Sequence, residues 1–225
     1  MKTAIVTGVT LGVGNDLVAL LLDSGYKVIG TSRQPDKAMS LQKYPNHENL
    51  IIEKLDYYDT KTIDDFISKY PNIELDLLVN NAAGANSPTE LNNESIENFN
   101  RSYQLNVSGP MYFTKMMRDS LSKSENPTVV FISSFAGKHP YPGGGNYCNS
   151  KRALSGLVEQ FRIEFAQRDI KVTEICPSTI NTSQTEQKPI AINSIDVANA
   201  VAWVASMPRG CNINIVEMAP TYTLR

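Results

Sequence analysis

The amino-acid sequence predicts an α/β protein in which a parallel β-sheet carries helices on both faces. Short runs rich in β-branched residues recur along the 225-residue chain, and several are apolar at consecutive positions, as in strands covered on both sides. Segments with apolar residues at helical spacing lie between these runs. Such alternation indicates a parallel sheet with right-handed crossovers. Because no linker or composition shift divides the chain, we expect one domain over residues 1–225.

Seven runs are predicted to be strands. They span residues 3–8, 27–31, 50–56, 75–80, 128–134, 171–176 and 213–218. Apolar periodicity predicts helices over 13–23 and 150–168, and a longer helix over about 95–121. The polar stretch 178–194 contains proline and is expected to form a surface loop or lid.

The charge balance and the cysteine spacing exclude several classes of protein. The formal net charge is −2 and no run of Lys or Arg stands out, so neither nucleic acid nor an anionic membrane surface is indicated. Cys148, Cys176 and Cys211 show neither disulfide nor metal-ligand spacing, and we expect no metal. No signal peptide or transmembrane helix is visible, which together with the few cysteines favours a reducing, cytoplasmic compartment.

A glycine-rich loop follows the first predicted strand and leads into the first predicted helix. Residues 7–14 read "TGVTLGVG", so the glycines are spaced G-x-x-x-G-x-G. Glycines allow the backbone to approach a pyrophosphate, and the helix N-terminus offers unpaired N–H groups. An ordinary strand-to-helix turn is the alternative. The residues expected to contact a dinucleotide are Gly8, Thr10, Leu11, Gly12, Val13 and Gly14.

The end of the second predicted strand indicates which dinucleotide is bound. Ser32 and Arg33 stand where an acidic residue would bind the ribose 2′-hydroxyl of NAD. The planar guanidinium of Arg33 can instead pair with a 2′-phosphate, which favours NADP(H) over NAD(H). A solvated surface arginine is the alternative. Asp56 ends the third predicted strand and is expected either to accept from the adenine amino group or to cap a turn.

The fourth predicted strand ends in "VNNAAG", residues 79–84. Asn80 and Asn81 can join neighbouring strand ends or border the cofactor, and the small Ala82 and Ala83 let the backbone approach a ligand. We assign Asn80 and Ala82 to the cofactor site. A plain strand-to-turn transition is the alternative.

Tyr147 and Lys151 form a candidate acid–base pair in "YCNSK". Their spacing of four residues directs both side chains the same way on a helix. A cationic lysine beside a phenol favours the phenolate, so we expect a lowered tyrosine pKa. Such a tyrosine can protonate a carbonyl oxygen that accepts hydride, or take the proton from an alcohol. Most Tyr–Lys pairs on helices lie on the surface, so other residues of the site are needed to distinguish a catalytic pair from a surface pair.

Two further residues complete the candidate catalytic set. Ser134 ends the fifth predicted strand, at the sheet edge where α/β proteins bind ligands, whereas Ser133 should face the other side. Ser134 can donate to a substrate oxygen. Pro110 deprives the carbonyl of Asn106 of its i+4 donor, so we expect a helix kink and a water held next to Lys151. Strand-end capping and a plain kink are the alternatives.

With these motifs in order, the whole chain resembles the single-domain type of short-chain dehydrogenase/reductase. The resemblance rests on "TGVTLGVG", "LD" at 55–56, "NNAA" at 80–83, Asn106, Ser134, "YCNSK" at 147–151 and "CPSTINT" at 176–182. It implies a doubly wound Rossmann-type sheet of about seven parallel strands and a nicotinamide cofactor. The roles that it implies are Tyr147 as acid/base, Lys151 on the nicotinamide ribose and assisting the tyrosine, Ser134 orienting substrate, and Asn106 in a proton relay.

The resemblance also covers the segment after the sixth predicted strand. It implies that Ile180 and Thr182 touch the carboxamide end of the cofactor, while Pro177 turns the chain. Two positions depart from the family pattern, because Ala83 and Ser178 stand where glycine is usual. The ending "IVEMAPT" resembles the group that contains 3-hydroxy acid and serine dehydrogenases.

The leading interpretation is an NADP(H)-dependent carbonyl reductase or alcohol dehydrogenase. A dinucleotide-binding sensor or scaffold without turnover is the alternative from another class, and an isomerase or dehydratase is a third. The substrate is expected to be a small carbonyl or alcohol. The candidate pocket residues are Asn86, Phe135, His139, Tyr141 and the segment 183–193. By family analogy, the helices over 95–121 and 150–168 are expected to pair across a two-fold axis in a homodimer or homotetramer.

Overall fold

A computed structural model describes the chain except residues 85–88, 183–189 and 222–225. Seven strands form one parallel sheet in the order β3-β2-β1-β4-β5-β6-β9. They are β1 (Thr3–Thr7), β2 (Lys27–Ser32), β3 (Leu50–Lys54), β4 (Leu77–Asn80), β5 (Thr128–Ile132), β6 (Lys171–Pro177) and β9 (Ile215–Met218). The predicted seven-stranded Rossmann-type sheet is confirmed. Within the stretch predicted as a loop or lid, β7 (Ile180–Asn181) and β8 (Ile192–Asn193) pair separately.

Helices cover both faces of the sheet, and each face has its own apolar core. The helices are α1 (Gly12–Asp23), α2 (Thr60–Lys69), α3 (Ile96–Tyr103), α4 (Gly109–Leu121), α5 (Gly145–Ala166) and α6 (Ser194–Ser206). Successive residues of β1 point to opposite faces: Ala4 and Val6 pack with α1 and α6, whereas Ile5 packs with α2, α4 and α5. Because both faces are covered, this strand is apolar at consecutive positions. Among the described residues, no helix is both long and apolar enough to cross a membrane.

Two helices differ from the sequence prediction in ways that affect the site. Helix α5 begins at Gly145, five residues before the predicted start, so Tyr147 lies in its first turn. The predicted long helix is interrupted by a π-helical turn at Gln104–Ser108, where the Gly109 amide bonds to the Gln104 carbonyl. Pro110 has no N–H to continue the normal ladder, so the predicted kink takes the form of a wide turn.

Candidate active site

The carboxyl ends of the central strands border a cavity of about 620 Å³. The cavity opens beside β1 and β4, where the strand order reverses and the connecting segments leave toward opposite sides. Of the residues predicted to form the site, the cavity is lined by Gly8, Thr10, Leu11, Gly12, Val13, Ser32, Arg33, Ala82, Ser134, Tyr147, Lys151, Pro177, Ile180 and Thr182. Four predicted residues do not line it, namely Gly14, Asp56, Asn80 and Asn106.

The glycine loop is shaped by two residues with positive φ. Gly8 has φ +72° and Gly12 has φ +61°, conformations that side chains other than glycine rarely adopt. Gly14 is required for packing within the protein, whereas its contact with the cofactor remains a prediction. A β-carbon at this position would lie 2.4 Å from the Gly8 carbonyl oxygen and 2.6 Å from Nδ2 of Asn81. Gly14 therefore allows α1 to pack against the loop.

We expect Gly14→Ala to destabilise the protein by about 1–3 kcal/mol, because backbone must move to admit the methyl group. Gly156→Ala in α5 is the matched control. Its β-carbon meets no atom within 4 Å, and alanine should stabilise a helix interior by about 0.5–1 kcal/mol. Urea denaturation of both variants measures the difference. A Gly14→Ala variant as stable as the wild type would contradict this packing role.

Asn80 is the last residue of β4 and Asn81 follows it, and the side chains of the two residues have different roles. Asn80 is buried, accepts from the Tyr57 hydroxyl at 3.2 Å and donates to Thr114 at 2.8 Å, so it joins the strand end to α4. Asn80 does not line the cavity, and its contact with the cofactor remains a prediction. Asn81 lines the cavity and donates to the carbonyls of Thr7 and Gly8, at 2.8 and 2.9 Å. It fixes the glycine loop.

Asp56 acts within a turn. Its Oδ1 accepts from the Tyr58 amide at 3.0 Å, which is the turn-capping alternative, and its side chain does not line the cavity. Its neighbours Leu55 and Tyr57 do line it. The contact with adenine remains a prediction for Asp56.

The end of β2 brings hydroxyl and cationic groups to one end of the cavity. The hydroxyls of Thr10 and Ser32 lie 2.9 Å apart, and Ser32 also accepts from the Gln34 amide at 3.0 Å. Arg33 is exposed and lies 5.9 Å from the centre of the Tyr58 ring. Lys37, which the sequence analysis missed, lines the cavity on the segment after Arg33. Neither cation forms an ion pair within the described part of the chain.

Ser134 and Tyr147 meet at the other end of the cavity. Ser134 accepts from the Ala136 amide at 3.1 Å, which leaves its own proton for the hydrogen bond with Tyr147. Burial raises the pKa of Tyr147, and the bond from Ser134 opposes that rise. The expected lowering of this pKa is therefore wrong, because burial removes the water that would stabilise a phenolate. Tyr147 is thus a protonated phenol at neutral pH.

Lys151 is almost fully enclosed, with 1% of its surface exposed. Its Nζ donates to the Ile132 carbonyl at 3.1 Å and lies 5.9 Å from the centre of the Tyr147 ring. Burial lowers the pKa of Lys151 to about 8, and the neighbouring Cys176 and Glu174 act in the opposite direction. The ammonium therefore lies beside the Tyr147 ring. With a pKa of about 8, Lys151 loses its proton within the pH range of an enzyme assay.

Asn106 lies behind the cavity wall in the π-helical turn. Its side chain donates to the Gly84 carbonyl at 2.9 Å, accepts from the Gly84 amide at 3.1 Å, and donates to Ser150 at 3.0 Å. This amide clamps the loop after β4 to α5. The sequence pattern around Pro110 pointed to the backbone carbonyl of Asn106 and gave no indication of this side-chain clamp.

The candidate substrate residues are only partly described. Phe135 and His139 stack with ring centres 4.2 Å apart after β5. Tyr141 is half exposed near the start of α5. Asn86 lies outside the described residues, as does most of the segment 183–193.

The comparisons with known proteins agree with this geometry. A family model described as short chain dehydrogenase matches residues 2–192. The chain belongs to the short-chain dehydrogenase family. Relatives of this dehydrogenase include the NADP-dependent 3-hydroxy acid dehydrogenase of Escherichia coli (strain K12), 28% identical over 96% of this chain and 94% of the relative. An uncharacterized oxidoreductase of Bacillus subtilis (strain 168) is 35% identical over 81% of this chain and 66% of the relative.

A solved structure extends the similarity to the fold of this dehydrogenase. The closed form of serine dehydrogenase complexed with NADP⁺ superimposes with a TM-score of 0.90. It is 27% identical, and the match covers 98% of this chain and 96% of that protein. The similarity of "IVEMAPT" to the 3-hydroxy acid and serine dehydrogenase group agrees with both names.

The residues of this dehydrogenase fit the nicotinamide dinucleotide that its family implies. The first turn of α1 contains no acidic residue, and Leu11 at its N-cap makes no side-chain cap, so its amides can receive phosphate oxygens. The hydroxyl oxygens of Ser133 and Ser178 are buried on residues that line the cavity, and neither has a partner in the described part of the chain. The prediction that the Ser133 side chain faces the side opposite Ser134 stays a prediction, because the residue lines the cavity while its hydroxyl oxygen is buried.

Proposed function

We propose that this chain is an NADP(H)-dependent oxidoreductase that interconverts small carbonyl compounds and alcohols. The observation that carries the proposal is the arrangement of one cavity. Arg33 and Lys37 follow β2 and the glycine loop follows the neighbouring β1, whereas Ser134 follows β5, two strands further along the sheet. Tyr147 and Lys151 line the same cavity from α5. An acid–base group and a phosphate site within one cavity match hydride transfer coupled to proton transfer.

The chain's own groups supply the proton chemistry, and a bound nicotinamide supplies or accepts the hydride. In reduction, the Tyr147 hydroxyl donates its proton to the substrate oxygen, and in oxidation the same oxygen takes the proton back. The Ser134 hydroxyl, anchored by the Ala136 amide, donates to the substrate oxygen and stabilises its developing charge. The ammonium of Lys151 stabilises the phenolate left on Tyr147.

We assign Asn106 to positioning within this mechanism. From the π-helical turn, its side chain bonds both to Gly84 on the cavity wall and to Ser150 on α5. The clamp keeps the loop after β4 and the helix that carries Tyr147 in register. A role of its backbone carbonyl in a proton relay remains part of the proposal.

A substrate panel tests the proposed function. NADPH oxidation is followed at 340 nm with aldehydes and ketones, and NADP⁺ reduction with alcohols. The names of the relatives place 3-hydroxy acids and serine in the panel. Turnover with at least one carbonyl or alcohol is expected. Tight NADPH binding without turnover of any compound would instead favour a sensor or scaffold.

We expect NADPH to bind more tightly than NADH, because Arg33 and Lys37 can both neutralise a 2′-phosphate. Lys37→Gln should weaken NADPH binding about two- to fivefold while leaving NADH binding unchanged. Lys43→Gln removes the same charge from the same 3₁₀ segment, outside the cavity lining, and serves as the control. Fluorescence titration measures each affinity. Equal losses for NADPH and NADH would contradict a 2′-phosphate contact by Lys37.

We also propose a homodimer or homotetramer in the cytoplasm, built from one domain per chain. Met116 on α4 is 37% exposed and Ile163 on α5 is 66% exposed, which leaves apolar surface on the two predicted interface helices. Sedimentation equilibrium is expected to give a mass of two or four chains. A monomer across the micromolar range would refute the assembly.

A further inference from the structure

A buried acidic side chain lies on β6, behind the catalytic end of the cavity. Glu174 is 1% exposed, and Cys176, two residues further on the same face of the strand, is fully buried. Burial disfavours the charged form of a carboxylate unless cations or hydrogen-bond donors surround it. The proposed reaction makes no use of Glu174, so its contacts must explain why the chain tolerates it there.

The contacts of Glu174 lead directly to the turn of α5 that carries Lys151. The Ser155 hydroxyl lies 2.5 Å from Oε1 of Glu174 and 3.2 Å from the backbone carbonyl of Lys151. Cys176 forms a side-chain hydrogen bond with the same carboxyl group. A hydroxyl has one proton, so an ionised Glu174 receives it from Ser155, and the thiol can donate as well. This arrangement suits a carboxylate.

The titratable groups around the Lys151 ammonium come from four parts of the fold. Tyr147 on α5 lies beside the ammonium, and Glu174 and Cys176 on β6 act on it directly. Lys138 in the segment after β5 acts on the Glu174 carboxyl group from another side, and Glu217 on β9 acts on Lys138. Glu217 is 45% exposed and pairs with Lys138. Burial raises the pKa of Cys176 to about 12, so its thiol stays neutral. Among these groups, Glu174 is the buried carboxylate that acts on Lys151.

We propose that Glu174 is the buried counter-charge of Lys151, a positioning residue that holds this lysine in its ammonium form beside Tyr147. The proposal rests on the role assigned to Lys151 in the proposed function. It explains why the Glu174 carboxylate and the Lys151 ammonium are buried in the same region between β6 and α5, although burying either charge alone is costly. It also assigns to β6 a contribution to catalysis made through Lys151.

Glu174→Gln tests the proposal through the pH dependence of kcat/KM for carbonyl reduction. Glutamine keeps the shape and the bond to Ser155 but removes the charge, so Lys151 should lose its proton at lower pH. We expect the alkaline limb of the profile to move down by about one pH unit. Glu217→Gln, the same change at a half-exposed site, should leave the limb within about 0.3 units. An unmoved limb in Glu174→Gln overturns the proposal.

A second measurement needs no turnover and therefore separates this proposal from the proposed function. Lys151→Met leaves Glu174 without its counter-charge, so the double variant Lys151→Met/Glu174→Gln should have the higher melting temperature. A double variant that melts at or below the single variant overturns the proposal. If Glu174→Gln alone fails to fold, folding of the double variant supports the proposal, and failure of both overturns it.

Discussion

Replacing Tyr147 with phenylalanine is expected to reduce kcat for carbonyl reduction by about 10²–10⁴-fold, while NADPH still binds. The phenol is the only group that the proposed mechanism uses to deliver the proton. Phenylalanine fills the same space next to Ser134, so the cavity keeps its shape. Burial raises the pKa of Tyr147, so at neutral pH the wild-type residue holds the proton that this variant lacks.

Steady-state kinetics together with NADPH fluorescence titration separate the two parts of this prediction. Tyr112→Phe is the matched control, because its hydroxyl bonds to Asp64 at 2.6 Å on the surface of α4. Its kcat should stay near the wild-type value. If Tyr147→Phe retained more than about a tenth of wild-type kcat, Tyr147 would not be the acid.

The fold was predictable because consecutive apolar runs report burial on both faces of a sheet. Ala4, Ile5 and Val6 illustrate this, since neighbouring residues serve two different cores. The start of α5 was less predictable. Its first turn contains Gly145, Asn146 and Tyr147, and the apolar periodicity used for the prediction begins only later. Tertiary packing extends the helix to a point that local pattern does not mark.

Site residues were predictable where the backbone itself determines their position. Gly8, Gly12, Ser134, Tyr147 and Lys151 follow directly from strand ends and helical spacing, and all line the cavity. Side-chain direction was not predictable. Successive residues at an irregular strand end need not alternate, so the sequence did not show that Asn81 lines the cavity and Asn80 does not. The clamp by the Asn106 side chain was missed because it depends on a π-helical turn and on the packing of that turn against α5.

The sequence also could not predict pKa shifts and the burial of charged side chains, because both depend on the surrounding structure. The pairing of Tyr147 with Lys151 suggested a lowered tyrosine pKa, but burial raises the pKa of Tyr147 and outweighs the opposing hydrogen bond from Ser134. Glu174 appears in the sequence as one of two charged residues, with Lys171, in a strand that also contains polar Thr173. Only the packing of α5 on β6 shows that it is enclosed and bonded to Ser155. Desolvation depends on the complete tertiary structure, and no local motif encodes it.

Lys151→Met is expected to lower kcat by about 10²-fold and, at pH 7, to raise the free energy of unfolding. Burial lowers the Lys151 pKa from 10.5 to about 8. At 1.36 kcal/mol per pKa unit, this shift means that the folded state disfavours the ammonium by roughly 3 kcal/mol. Methionine carries no charge and so avoids that penalty, which is a net value because the pKa of about 8 already includes the attraction of Glu174. The bond from Nζ to the Ile132 carbonyl is lost, which offsets about 1 kcal/mol of the gain.

The sign of the pH dependence follows from this lowered pKa. Between about pH 8 and 10.5, Lys151 is protonated in the unfolded chain and deprotonated in the folded protein. Because the unfolded state binds more protons in this range, the free energy of unfolding of the wild type rises with pH. The stability advantage of Lys151→Met should therefore be largest at pH 7 and shrink toward pH 10. Urea denaturation at both pH values measures it, with Lys61→Met, an exposed substitution on α2, as the control. An advantage that stayed constant with pH would show that Lys151 is not a desolvated ammonium at neutral pH.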